Sequence, residues 1–71
     1  PKYSAIRKVN PLLYKVEVEY FYGIVDASGN FIIEPDYDFV ALTADNVFRV
    51  ENGDQVGYLT KGGKWIWKTG N

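Results

Sequence analysis

The sequence predicts an all-β fold in which two tandem three-stranded meander repeats close into a small pseudo-symmetric barrel or sandwich. Three observations predict it. The 71-residue chain repeats itself with a period of 34 residues. Each copy breaks into short alternating apolar and polar runs separated by turn signals. The chain is 46% hydrophobic and 17% aromatic, which supplies the β-branched and ring-bearing residues that suit a pleated, half-buried surface.

The period comes first because every element is placed by it. Displaced by 34 residues, the sequence matches Pro1 with Pro35, Tyr3 with Tyr37, Val16 with Val50, Glu17 with Glu51, Gly23 with Gly57, Gly29 with Gly63 and Ile32 with Ile66. Composition alone would yield roughly two such identities. Conservative pairs keep the register, including Ile6 with Val40, Leu13 with Val47, Tyr14 with Phe48 and Phe31 with Trp65. One small domain over 1–71 is expected, made of units 1–34 and 35–68 with a short tail 69–71.

The opening of each unit has weak periodicity and predicts a short strand or one helical turn. Strands then follow in the first unit over 13–19, 21–26 and 31–34, and in the second over 47–51, 55–60 and 64–68. Asn52-Gly53 is a strong hairpin signal, since both residues tolerate positive φ. Val18-Glu19-Tyr20 stands at the same place in the first unit without a glycine, which predicts a bulge or a wider connection. Asp26-Ala27-Ser28-Gly29-Asn30 predicts a tight turn capped by Asp26, with Gly29 supplying positive φ and Gly63 repeating the requirement. The same segment is a poor calcium loop, because it lacks a bidentate acid downstream.

The segment Tyr22-Gly23-Ile24-Val25-Asp26-Ala27-Ser28-Gly29-Asn30-Phe31-Ile32-Ile33-Glu34-Pro35-Asp36-Tyr37-Asp38 resembles the WG repeat family, also called KWG repeats. The family pattern is an aromatic-Gly step, a hydrophobic pair, Asp, a glycine turn, hydrophobics, then Pro, Tyr and Asp. The likeness continues through Asn52 to Lys64 and covers about four-fifths of the chain. Tyr22 and Val56 replace the usual Trp, Thr60 replaces Asp, and Thr69 stands where Pro would open a third unit, so the array is expected to end there. The resemblance implies a β-rich, mostly bacterial repeat module without catalytic activity of its own, and it carries no catalytic residues across.

Composition agrees that no enzyme is expected. The chain has no His and no Cys, which removes the commonest general base, the thiol nucleophile and the usual zinc ligands. Glu34, Asp36 and Asp38 cluster around Pro35 in the manner of a glycosidase pair, but acids beside a turn are better explained as caps of backbone N–H groups. No cofactor and no metal site is expected. A net charge of −1 without a basic cluster disfavours nucleic acid. No apolar run reaches membrane length, so the expectation is a soluble chain, with the cytoplasm favoured over secretion. Pro1 would suit a chain whose initiator Met had been removed.

The aromatics carry the functional expectation. Trp65 and Trp67 alternate onto one face of a strand and gather near Tyr58. In Tyr20-Phe21-Tyr22, at least one ring must look outward. Tyr20, Tyr22, Tyr58, Trp65 and Trp67 are therefore the candidate contact residues for a protein partner or a second copy in a homodimer. The favoured function is a non-enzymatic protein-interaction module, such as a small free-standing regulator or phage-type inhibitor. The alternative is a carbohydrate or cell-wall binding module, since residues 62–67 also resemble choline-holding repeats of bacterial surfaces. Those repeats have a shorter period.

Overall fold

The computed structural model describes residues 3–44 and 46–68. It is all-β, with strands β1 (Ala5–Asn10), β2 (Leu13–Val18), β3 (Phe21–Asp26), β4 (Phe31–Tyr37), β5 (Phe39–Ala44), β6 (Val47–Asn52), β7 (Gln55–Thr60) and β8 (Trp65–Lys68). They form two antiparallel four-stranded meanders, β1-β2-β3-β4 and β5-β6-β7-β8. The expectation of three strands per unit is corrected to four, because the weakly patterned opening of each unit is a full edge strand. β1 and β5 are held by cross-strand pairs such as Ile6 with Val16 and Val40 with Val50. The sheets stack as two layers and do not close into a barrel.

β4 shows why the sequence hid this frame. Proline inside a run normally demotes it as a strand, yet β4 passes through Pro35 and ends at Tyr37. Between the pairs Tyr22 with Tyr37 and Ile24 with Ile33, the ladder takes two steps along β3 and four along β4. Pro35 sits in that irregular stretch, where its missing N–H costs little. Gly23 lies opposite. A Cβ there would come within 2.5 Å of Ile33 O and 2.8 Å of Pro35 N, so the aromatic-Gly step keeps its glycine to admit the β4 backbone. The sheets consequently divide at Asp38, beyond the repeat boundary drawn at Pro35.

The core lies between the sheets. Directly paired residues of an antiparallel ladder share a face, so Ile24 and Ile33 stand together on the first sheet, while Leu42, Phe48 and Leu59 stand together on the second. These faces meet. Leu13, Ile24 and Ile33 pack with Val40, Phe48, Val50 and Leu59, and Tyr22, Tyr37 and Leu42 close the margin. β3 lies against β5 and β4 against β6. Phe48 is the largest fully buried side chain, and each such apolar group contributes roughly 1.5–3 kcal/mol.

Matched contacts recur at the period. Ser4 N donates to Glu17 O at 2.7 Å, and Asp38 N to Glu51 O at 2.8 Å. Tyr3 meets Phe31 edge-on with ring centroids 6.4 Å apart, and Tyr37 meets Trp65 in the same way at 6.4 Å. Tyr37 therefore ends one sheet while packing on an aromatic of the next.

The turns divide into expected and unexpected. Asp26 Oδ1 accepts from Ser28 N and Asn30 N, both at 2.9 Å, and Gly29 has a φ of 91°, as the capped-turn reading requires. These backbone donors, Asn30 foremost, hold the Asp26 carboxyl below its usual pKa. Thr60 takes the same post in the second copy, where its Oγ1 accepts from Lys64 N at 3.1 Å. The β2–β3 connection is a correction. It is a tight two-residue turn, with Val18 paired to Phe21 and both Glu19 (φ 50°) and Tyr20 (φ 77°) left-handed. In the second copy Asn52 flanks the turn, paired with Gln55, and Gly53 carries the positive φ of 63°.

Candidate binding surface

The structure distributes the five candidate aromatics over both sheets. Tyr20 stands at the tip of the β2–β3 turn and is 85% exposed, and its neighbour Phe21 is also exposed. Tyr22, the next residue, is half-buried at the margin of the core, with the Lys15 ammonium 5.1 Å from its ring centroid. The three consecutive rings thus diverge, as strand alternation demands.

Tyr58 pairs directly with Arg49 across β6 and β7. Arg49 Nη1 donates to the Tyr58 hydroxyl at 3.1 Å, and its Nε and Nη2 donate to Glu51 Oε2 at 3.2 and 3.1 Å. The Tyr58 hydroxyl and then the Glu51 carboxylate raise the Arg49 pKa. This knot finishes the outer face of the second sheet with a neutralised polar cluster, at the register place where the first sheet presents Ile24 to the core.

Trp65 is 40% exposed and leans on Tyr37. Together with Asn52, Gln55, Val56 and Gly57 these rings line a cavity of about 170 Å³. Burial, then the neighbouring Asp36 charge, raises the Tyr37 pKa. The expected sharing of one face by Trp65 and Trp67 rests on alternation, and the ladder here is irregular. Trp65 pairs with Leu59 and Trp67 with Tyr58, so two residues of β8 spaced by two oppose adjacent residues of β7. The irregularity falls at Ile66. The same step occurs in the first copy, where exposed Phe31 pairs with Val25 and buried Ile33 with Ile24. The side chain of Trp67 lies outside the described residues.

Around Pro35, the Asp38 carboxylate and the Asp36 backbone carbonyl have structural partners. Asp38 Oδ2 accepts from Gly53 N at 2.8 Å, and Asp36 O accepts from Asn52 Nδ2 at 3.2 Å, so the link between the sheets secures the β6–β7 turn. Sequence reasoning missed Tyr37 and Asn52 as cavity residues, and it named Phe21 only within the aromatic run. Tyr37 had a usable signal in its match to Tyr3, whereas Asn52 was absorbed into a hairpin signal. Among the described residues, no helix is long and apolar enough to cross a membrane.

Residues 22–55 match the family model described as WG containing repeat. No curated protein and no solved structure matches the chain. The matched stretch is one full period and begins at the aromatic-Gly step whose glycine admits β4. Residues 22–55 are thus similar to a WG-containing repeat, within a chain whose described residues form an all-β fold.

Proposed function

We propose that the chain is a non-enzymatic interaction module that docks on a partner protein through the aromatic tip of the first sheet, in the manner of a small regulator or inhibitor. One observation carries this reading: Tyr20 is held almost fully exposed at a left-handed backbone position that a bulky residue occupies at a cost of about 1–3 kcal/mol. In the matched hairpin Gly53 takes the place of Glu19, and Asp54, the counterpart of Tyr20, is not left-handed. A strained, displayed tyrosine beside exposed Phe21 has the character of an interface anchor, since tyrosine supplies contact area at small entropic cost. The test is Tyr20→Gly, which relieves the backbone and removes the ring. A stoichiometric partner captured from bacterial lysate by the unaltered chain should be lost with this variant while its melting temperature holds or rises. Unchanged capture would sink the reading.

A second reading, binding of a glycan or a choline-like group, is favoured by the cavity under Trp65 and Tyr37, where rings meet the amides of Asn52 and Gln55. That combination suits a sugar's apolar face and hydroxyl edge. Titration with soluble glycans and choline should shift tryptophan fluorescence saturably, and the shift should vanish in Asn52→Ala. A flat response across the panel counts against it.

A further inference from the structure

A different region carries an inference independent of either reading. Arg7 on β1 stands directly opposite Lys15 on β2, so two cations share one face at adjacent ladder positions. Like charges so placed repel, because paired Cβ atoms lie only about 4.5–5.5 Å apart. The second copy avoids this: Ala41 stands opposite Arg49, and Glu51 neutralises the arginine. Among the described residues the Arg49–Glu51 bridge is the only ion pair, so neither Arg7 nor Lys15 has a carboxylate within salt-bridge distance there. Charge on an edge strand can serve merely to repel other strands, which would account for Arg7 and Lys8. It does not account for Lys15, which lies on an inner strand.

Lys15 is also positioned. Its Nζ donates to Val40 O of the second sheet at 3.3 Å and stands over the Tyr22 ring, leaving ammonium protons to spare. Beside it, between β1 and β5, opens a cavity of about 310 Å³. Arg7 and Lys15 share the face that contributes its charges, Val9, Ile24 and Leu42 contribute apolar wall, and no acidic residue lines it. Glu17, the counterpart of Glu51, lines the neighbouring cavity together with Arg7 and Lys15.

We propose that this cleft binds a small phosphate ester, its phosphate held by Arg7 and Lys15 and its organic body resting on the apolar wall between the sheets. Arginine offers a bidentate fork to phosphate oxygens and lysine a point charge, and together they match a dianion better than a single carboxylate. Binding removes the repulsion that the empty cleft retains.

Phenyl phosphate is a suitable probe, titrated into the intact chain at constant ionic strength and followed by amide NMR. Saturable shifts should appear in both walls, at residues 7–9 and 40–42, with benzoate binding at least tenfold more weakly. Arg7→Ala installs the residue found at position 41 in the second copy. It should leave the ligand-free melting temperature equal or higher and weaken phenyl phosphate at least tenfold, and Lys15→Gln should weaken it similarly. Shifts that never saturate, equal affinity for benzoate, or unaltered affinity in Arg7→Ala would each overturn the proposal.

Discussion

Ile6 and Val40 occupy the same place in the two copies, in matched strands and opposite matched valines, yet Ile6 is 61% exposed and Val40 fully buried. Local pattern does not separate them. Val40 lies in the core shared with the first sheet, whereas the face that Ile6 shares with the buried Val16 stands outside that core. A repeat thus determines strands and pairings alike in each copy, while burial follows from which neighbour each copy has. The exposed end of the pair is also where the unusual features collect: the Tyr20 turn and the opposed cations of the β1–β5 cleft.

The comparison can be broken most forcefully at the core. Phe48→Ala should cost about 3–5 kcal/mol, enough to unfold much of a domain this small, whereas the matched Tyr14→Ala should cost less than half as much by urea denaturation. Similar losses would mean that the sheets do not stack in the asymmetric way described. Gly23→Ala ranks next, at about 3 kcal/mol, because the added methyl meets backbone that cannot swing away. A loss under about 1 kcal/mol would show that β4 does not approach so closely.

The hairpins should respond in opposite senses. Tyr20→Gly is expected to stabilise by about 1 kcal/mol and Gly53→Ala to destabilise by about the same amount, both read from thermal melts. The smallest effect is one of pH. Asp26 has a folded pKa below its ordinary value of 3.8, so its contribution is complete above that value and is lost as pH falls through the lower folded value. Asp26→Thr, which imitates Thr60, should flatten this part of the acid limb. An unchanged acid profile would remove Asp26 as its source.

Much of the fold was legible in the sequence, since the period, the capped turn at Asp26, the glycine turn at Gly63 and six of the eight strands rest on local pattern. The edge strands were not, because β1 and β5 are defined by pairing rather than by alternation. The Tyr20 turn was hidden for a related reason: left-handed backbone is readable where glycine permits it, and here a neighbouring pair of strands imposes it on Glu19 and Tyr20. Strict alternation is interrupted in the β7–β8 ladder by a register irregularity that the sequence pattern did not announce. For the candidate surface, the run of three aromatics required at least one outward ring but did not single out Tyr20. The Arg7–Lys15 opposition required the register, because eight residues separate the two in the chain.

Tyr37 gives the repeat an unusual indifference to phase. The 22–55 segment that matches the family holds the last two strands of one sheet and the first two of the next, so in isolation it contains two half-sheets and no whole one. Inserted into an array, the same segment completes a half-sheet on each side, and its tyrosine reaches the aromatic that follows. An array can therefore lengthen by one period from any starting point without leaving an unfinished sheet, provided the glycine that admits the bent strand travels with it.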